Sequence, residues 1–124
     1  GYAALRHAEL CLARGDAAGA LAFVERGHGD AAHIEARALM LAARVRALRL
    51  LHGEGDAACA QAIADAQALL AQPVVVPALA ALNLRGACGL SRQSEIERLA
   101  ASLDHRPAAR ERFIARWSGP GLQR

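Results

Sequence analysis

Four groupings of side chains in this sequence are of types that do chemistry. The first is "GEGDAA" at 53–58, a partial Gly-x-Gly-x-x-Ala of the sort that cradles a nucleotide phosphate on backbone N–H groups. It follows a helical pattern instead of a strand, and Glu54 and Asp56 would repel a phosphate, so it reads as a turn. The second is His28, His33 and Glu35, which carry donor atoms for a metal. His28, however, lies in a Gly-rich break, and on a helix His33 and Glu35 point to opposite faces, which favours solvated or capping roles. The third is Cys88 with His105, or Ser91 with any histidine: a nucleophile and a base, with nothing to supply an orienting acid or an oxyanion loop. No enzyme activity, metal or cofactor is expected. The fourth is His33, Arg37 and Arg44, a polar seam along one side of a long helix. Guanidinium groups are planar forks of donors that grip carboxylates in pairs, chemistry suited to holding a protein or peptide partner.

The elements that must position these residues are helices. The chain has 124 residues, room for one domain with a real core, and is 54% hydrophobic but only 3% aromatic. The excess is Ala and Leu, the strongest helix formers. All fifteen basic residues are Arg, read as the bias of a GC-rich bacterial genome, and the net charge of +3 is too mild to demand nucleic acid. The arginines also lack interleaved aromatics on which bases would stack, so nucleic acid is not expected as the partner of this segment. Cys11, Cys59 and Cys88 have neither disulfide-framework nor zinc-knuckle spacing and are expected as buried free thiols in a reducing cytoplasm. No apolar run approaches the roughly 20 residues that span a bilayer. The chain opens without an initiator Met, already inside a helical pattern, and is expected to be a fragment of a longer polypeptide.

Along the chain, Tyr2 to Arg14 is apolar at Leu5, Ala8 and Leu12 and is closed by Gly15; Asp16 then caps a second helix to about Arg26, with Ala20, Phe23 and Val24 inward. Asp30 is placed to cap a long helix from about Ala31 to Leu51, and Asp56 a fourth to about Ala71. "QPVVVP" at 72–77 is an extended loop, since its valines are bracketed by Pro73 and Pro77. Helices from Pro77 to about Cys88, from Ser91 or Ser94 to about Asp104 and from Pro107 to Trp117 follow, and "SGPGLQR" is a frayed end. The long third helix has two apolar stripes: Ile34, Ala38, Leu41, Val45 and Leu48, and Ala32, Ala36, Leu39, Ala43 and Leu50. Between them run the His33–Arg37–Arg44 seam and a second one of Glu35, Arg46 and Arg49. A helix at the edge of a globule needs one stripe, whereas a helix sandwiched between neighbours needs two.

One elbow is written twice. Gly15, Asp16 and Ala20 recur as Gly55, Asp56 and Ala60, and a weaker third copy begins at Gly89 with Ser94 in the small-residue place. Gly ends one helix in the left-handed region, Asp caps the next, and the small residue one turn in lets two helices cross closely. These residues resemble the tetratricopeptide repeat (TPR), whose hairpins carry the same Gly-x-x-x-x-Ala turn, although the period here is longer than its roughly 34 residues. The segment "IERLAASLDHRPAARERFIARW" at 96–117 is in turn similar to the closing segment of TPR-like arrays in bacterial signalling ATPases, including LuxR-type regulators related to the maltose regulator, and cyclase-linked ATPases. The residues that carry this likeness are Leu99, Ala100, Ser102, Leu103, Asp104, Pro107, Arg110, Phe113, Ile114, Ala115 and Arg116.

The resemblance implies an all-α fold of antiparallel helix hairpins, over about 2–27, 31–71 and 77–104, stacked in a right-handed superhelix and closed by a C-terminal helix at 107–117. It implies a cytoplasmic protein-interaction or intramolecular regulatory module of a bacterial signalling or transcription regulator, with the first helix of each hairpin, and with it His33, Arg37 and Arg44, on the concave side. That placement is what makes this seam the candidate partner-binding site. A Walker loop and a DNA-reading helix-turn-helix are missing from the sequence, so neither ATP hydrolysis nor DNA reading carries over. A stand-alone TPR chaperone of secretion substrates, a helical-repeat RNA binder and a self-associating structural domain stay open as alternatives. The last helix is expected to act as a lid, with Ala109, Phe113 and Trp117 one above another.

Overall fold

The computed structural model describes residues 2–27, 33–53, 55–72 and 76–118, the side chains of Tyr2, Ser94, Trp117 and Ser118 excepted. Within them the chain forms α1 (Tyr2–Ala13), α2 (Ala17–Gly27), α3 (Ile34–His52), α4 (Ala57–Leu70), α5 (Ala78–Cys88), α6 (Gln93–Ala101) and α7 (Pro107–Ser118), and no strand. The helix boundaries follow local chemistry. Gly15 (φ +78°) ends α1, and the Asp16 N–H reaches back to the Cys11 carbonyl at 2.8 Å; Gly89 (φ +71°) ends α5 in the same way, with Leu90 N–H on Arg85 O at 2.8 Å. Asp16 accepts the Gly19 N–H at 2.9 Å, and Asp56 accepts those of Ala58 (2.9 Å) and Cys59 (3.3 Å), so both carboxylates cap the helices expected of them. Asp30, with Ala31 and Ala32, lies outside the described residues. The third helix is described from Ile34, with His33 extended at its N-cap and making no side-chain cap bond. Most of the expected loop, residues 73–75, also lies outside them; Val76 is buried, and Pro77 occupies the N-cap of α5.

α3 is the hub, packing against α1 and α2 on one side and α4 and α5 on the other. One core cluster joins Leu5, Ala8, Ala20 and Val24 to Met40, Ala43 and Ala47. The other joins Ala38, Ala42, Val45 and Leu48 to Cys59, Ala62, Ala66 and Leu69 of α4 and to Ala80, Ala81, Leu84 and Ala87 of α5. Two apolar stripes on α3 are thus used as two, although Leu50 is 65% exposed and Met40 and Ala47 take part in its place. α1 and α5 both contact α3, α5 passes on to α6, and α6 to α7. Alanine makes up much of this core, which lets helix axes approach closely. Gly27 marks one close approach, since a Cβ there would stand 2.7 Å from Met40 Cε and 2.8 Å from Ala4 Cβ.

The written repeat holds at its capping aspartates but not at its glycine or its small residue, which corrects the expectation for Gly55 and Ala60 in the second elbow. α2 buries Ala17, Ala20, Val24 and Gly27, whereas α4 buries Cys59, Ala62, Ala66 and Leu69, and Ala60 is exposed. Counted from their capping aspartates and taken at about 100° per residue, the two buried faces lie about half a turn apart. The turns differ accordingly. Gly15 stands immediately before its capping Asp, but the glycine with positive φ in the second turn is Gly53 (φ +83°), and Gly55 is not in that region. Gly53 donates its N–H to Arg49 O at 2.9 Å, and its ψ of 173° sends the chain off in another direction from a left-handed cap. The third copy fares better at its glycine, since Gly89 is left-handed, while the side chain of Ser94 lies outside the described residues.

Candidate interaction groove

Where α3 meets α5, Arg46 donates from Nη1 to Asn83 Oδ1 at 2.6 Å and from Nη2 to the Asn83 carbonyl at 3.2 Å. One planar fork serving two oxygens of a single residue pins the two helices at that height. Burial lowers the Arg46 pKa; Cys88 when ionised and Glu9 favour its charge, and Arg49 opposes it. Burial likewise raises the Cys88 pKa, against the pull of Arg49 and Arg46, so this thiol is held protonated at neutral pH. Cys59 is buried as well, Cys11 is half-exposed, and all three thiols are free.

Two adjoining hollows flank the Arg46–Asn83 link. The smaller, about 280 Å³, is lined by Glu9 and Leu12 of α1, Leu39, Ala43 and Arg46 of α3, and Leu82 and Asn83 of α5. The larger, about 730 Å³, shares Leu39 and Asn83 with it and adds Glu35, Leu79, Ala80, and Arg112, Phe113 and Arg116 of α7. Together they form a groove along the face on which α1, α3 and α5 lie side by side, and Leu79 is 56% exposed within it. Its walls mix leucine and alanine (Leu12, Leu39, Leu79, Leu82, Ala43 and Ala80) with charged side chains, the carboxylates being Glu9 and Glu35; neither makes a hydrogen bond or ion pair among the described residues.

The residues expected to bind a partner are on another face of α3 from these hollows. His33 and Arg37 are exposed, Arg44 is half-buried with its Nε enclosed and without a hydrogen bond, and none of the three lines either hollow. Helix periodicity puts them on the far side of α3 from Arg46, between Met40, which abuts Gly27 of α2, and Leu48 of the cluster shared with α4 and α5. The seam on the α1–α3–α5 face is therefore Glu35 and Arg46, with Leu39 beside them. His33, Arg37 and Arg44, the residues expected to bind a partner, form the opposite seam. Of the residues once considered for a metal, His33 and Glu35 are both exposed and His28 lies outside the described residues. Asn83, missed by motif reading, carries a visible signal: it is the only asparagine of the chain and sits inside the apolar run "ALAALNLRG".

The remaining links hold the C-terminal half. Arg85 Nε donates to Glu95 Oε1 at 3.0 Å, partly buried, and ties α5 to α6, while Arg110 and Asp104 pair at 3.3 Å on the exposed turn before α7. α7 itself packs chiefly on α6 and turns Arg112, Phe113 and Arg116 toward α3 and α5. No described helix is long and apolar enough to cross a membrane. Comparison with protein-family models, with curated proteins and with solved structures gives no match.

Proposed function

We propose that this chain is a TPR-like array of helix hairpins serving as a protein-interaction or intramolecular regulatory module, and that it receives a protein segment in the groove along α1, α3 and α5. The observation that carries the reading is the alignment of these three helices on one face, with two adjoining leucine-lined hollows running between them. A sandwiched α3 that buries both of its apolar stripes against different neighbours is the packing an array requires. Such arrays bury their own core between successive hairpins and leave the face between them for a ligand. The setting, a bacterial signalling or transcription regulator in the cytoplasm, rests on the likeness of residues 96–117 to the closing segment of such arrays.

Charge and apolar substitutions on the two sides of α3 test the reading. Leu79→Asp puts a carboxylate where an apolar side chain is already 56% exposed, so the fold tolerates it while the groove loses its apolar floor. Cross-linked partners captured by the parent chain are expected to vanish with Leu79→Asp and to persist with Arg37→Glu/Arg44→Glu. The opposite pattern, with partners lost only on reversal of Arg37 and Arg44, would return the binding face to the His33–Arg37–Arg44 seam and end the groove reading.

A further inference from the structure

We propose that α7 is a displaceable occupant of the groove, and that the outside partner is a basic amphipathic helix bearing an aromatic residue, which binds by taking the place of α7. This rests on the groove being the binding face and adds how that face is regulated and what it selects.

The packing of α7 is the starting point. Arg112, Phe113 and Arg116 border an open surface hollow of about 730 Å³ whose other walls include Leu39, Leu79, Ala80 and Asn83. α7 therefore forms one wall of the larger hollow and leaves its space open. Phe113 and Ile114 are only half-buried, and the helix packs chiefly on α6, to which the turn Ser102–Arg106 joins it. At that turn the Asp104–Arg110 pair is exposed, a kind of ion pair that contributes little to holding two elements together. On the α7 side of the hollow, then, the Asp104–Arg110 pair is exposed and the Phe113 ring is only half-buried.

Charge complementarity names the occupant. Without α7 the groove walls carry two carboxylates, Glu9 and Glu35, against one guanidinium, Arg46, whose charge the neutral Asn83 leaves in place, so one negative charge is left over. α7 brings to the same hollow an aromatic ring between two arginines, Arg112 and Arg116. An acidic, leucine-floored groove and a basic helix with one ring are matched surfaces, and a partner helix of the same pattern would meet the same walls. An acidic peptide would meet Glu9 and Glu35 as like charges.

The test uses the full chain and a fluorescently labelled peptide with the sequence of residues 106–118, followed by anisotropy. The peptide is expected to bind, more weakly as salt is raised, and to lose binding when the phenylalanine corresponding to Phe113 is replaced by alanine. Opening the strap in the chain itself, by Phe113→Ala or independently by Arg112→Glu, is expected to raise the apparent affinity about tenfold, since a site closed nine-tenths of the time gives up that factor. Leu79→Asp is expected to abolish binding in either background. Unchanged affinity in both opening variants, with Leu79→Asp still abolishing binding, would overturn α7 as occupant and leave the groove reading standing. Binding insensitive to Leu79→Asp would overturn the groove reading itself. Equal or tighter binding of a peptide with its arginines exchanged for glutamates, or no binding by any variant, would overturn the partner chemistry.

Discussion

Ala20 and Ala60 occupy the same place in the two written elbows, and replacing each with leucine separates a repeat of letters from a repeat of structure. Ala20 is fully enclosed among Leu5, Ala8, Val24, Met40 and Ala43, where α1, α2 and α3 meet. Three further carbon atoms there have no room, and overpacking of this kind costs about 1–3 kcal/mol. Ala60 is exposed on α4, whose buried face is formed by Cys59, Ala62, Ala66 and Leu69, so the same change should stay within about 0.5 kcal/mol of the parent. Leu is nearly as good a helix former as Ala, which leaves packing as the difference between the two variants. Urea titrations give the free energies, and thermal melts should follow at roughly 4 °C per kcal/mol for a chain of this length. The expected result is a clear loss for Ala20→Leu and none for Ala60→Leu. Equal losses would mean that α4 buries the face containing Ala60 and that the half-turn offset between α2 and α4 is wrong.

Arg46→Ala removes both donors that reach Asn83 and is expected to destabilise the fold by about 1–3 kcal/mol, with Arg46→Lys restoring only part because an ammonium lacks the planar fork; equal stability of all three proteins in urea would remove the pin between α3 and α5. The Cys88 thiol gives a pH signature. Because burial raises its pKa in the folded state above the unfolded value, its contribution is complete below the ordinary thiol pKa of about 8.5 and is lost as pH climbs through the higher folded value. Stability measured between neutral and strongly alkaline pH should fall more steeply for the parent than for Cys88→Ala, and identical slopes would refute the assignment.

Local chemistry was legible in the sequence because it acts over a few residues. Gly15 and Gly89 end their helices in the left-handed region, Asp16 and Asp56 cap the next ones, and the two stripes of the third helix declare a neighbour on each side. These features depend on φ, on a carboxylate within reach of an N–H two or three residues on, and on a period of 3.6, all of which neighbouring letters display. Which neighbours come, and from where, is a different kind of quantity. Gly-Asp-x-x-x-Ala reads alike at both elbows, yet Gly53 turns the second hairpin in place of Gly55, and α4 offers α3 and α5 the opposite face. Periodicity likewise finds two polar seams on α3 without ranking them. Arg46 lies on the groove because α5, 37 residues away in sequence, brings Asn83 to it, while Arg44, two positions earlier in the same helix, faces the other way. A helix determines the angles between its own side chains, but only the packing of the others around it decides which of those angles meets a wall, a groove or water.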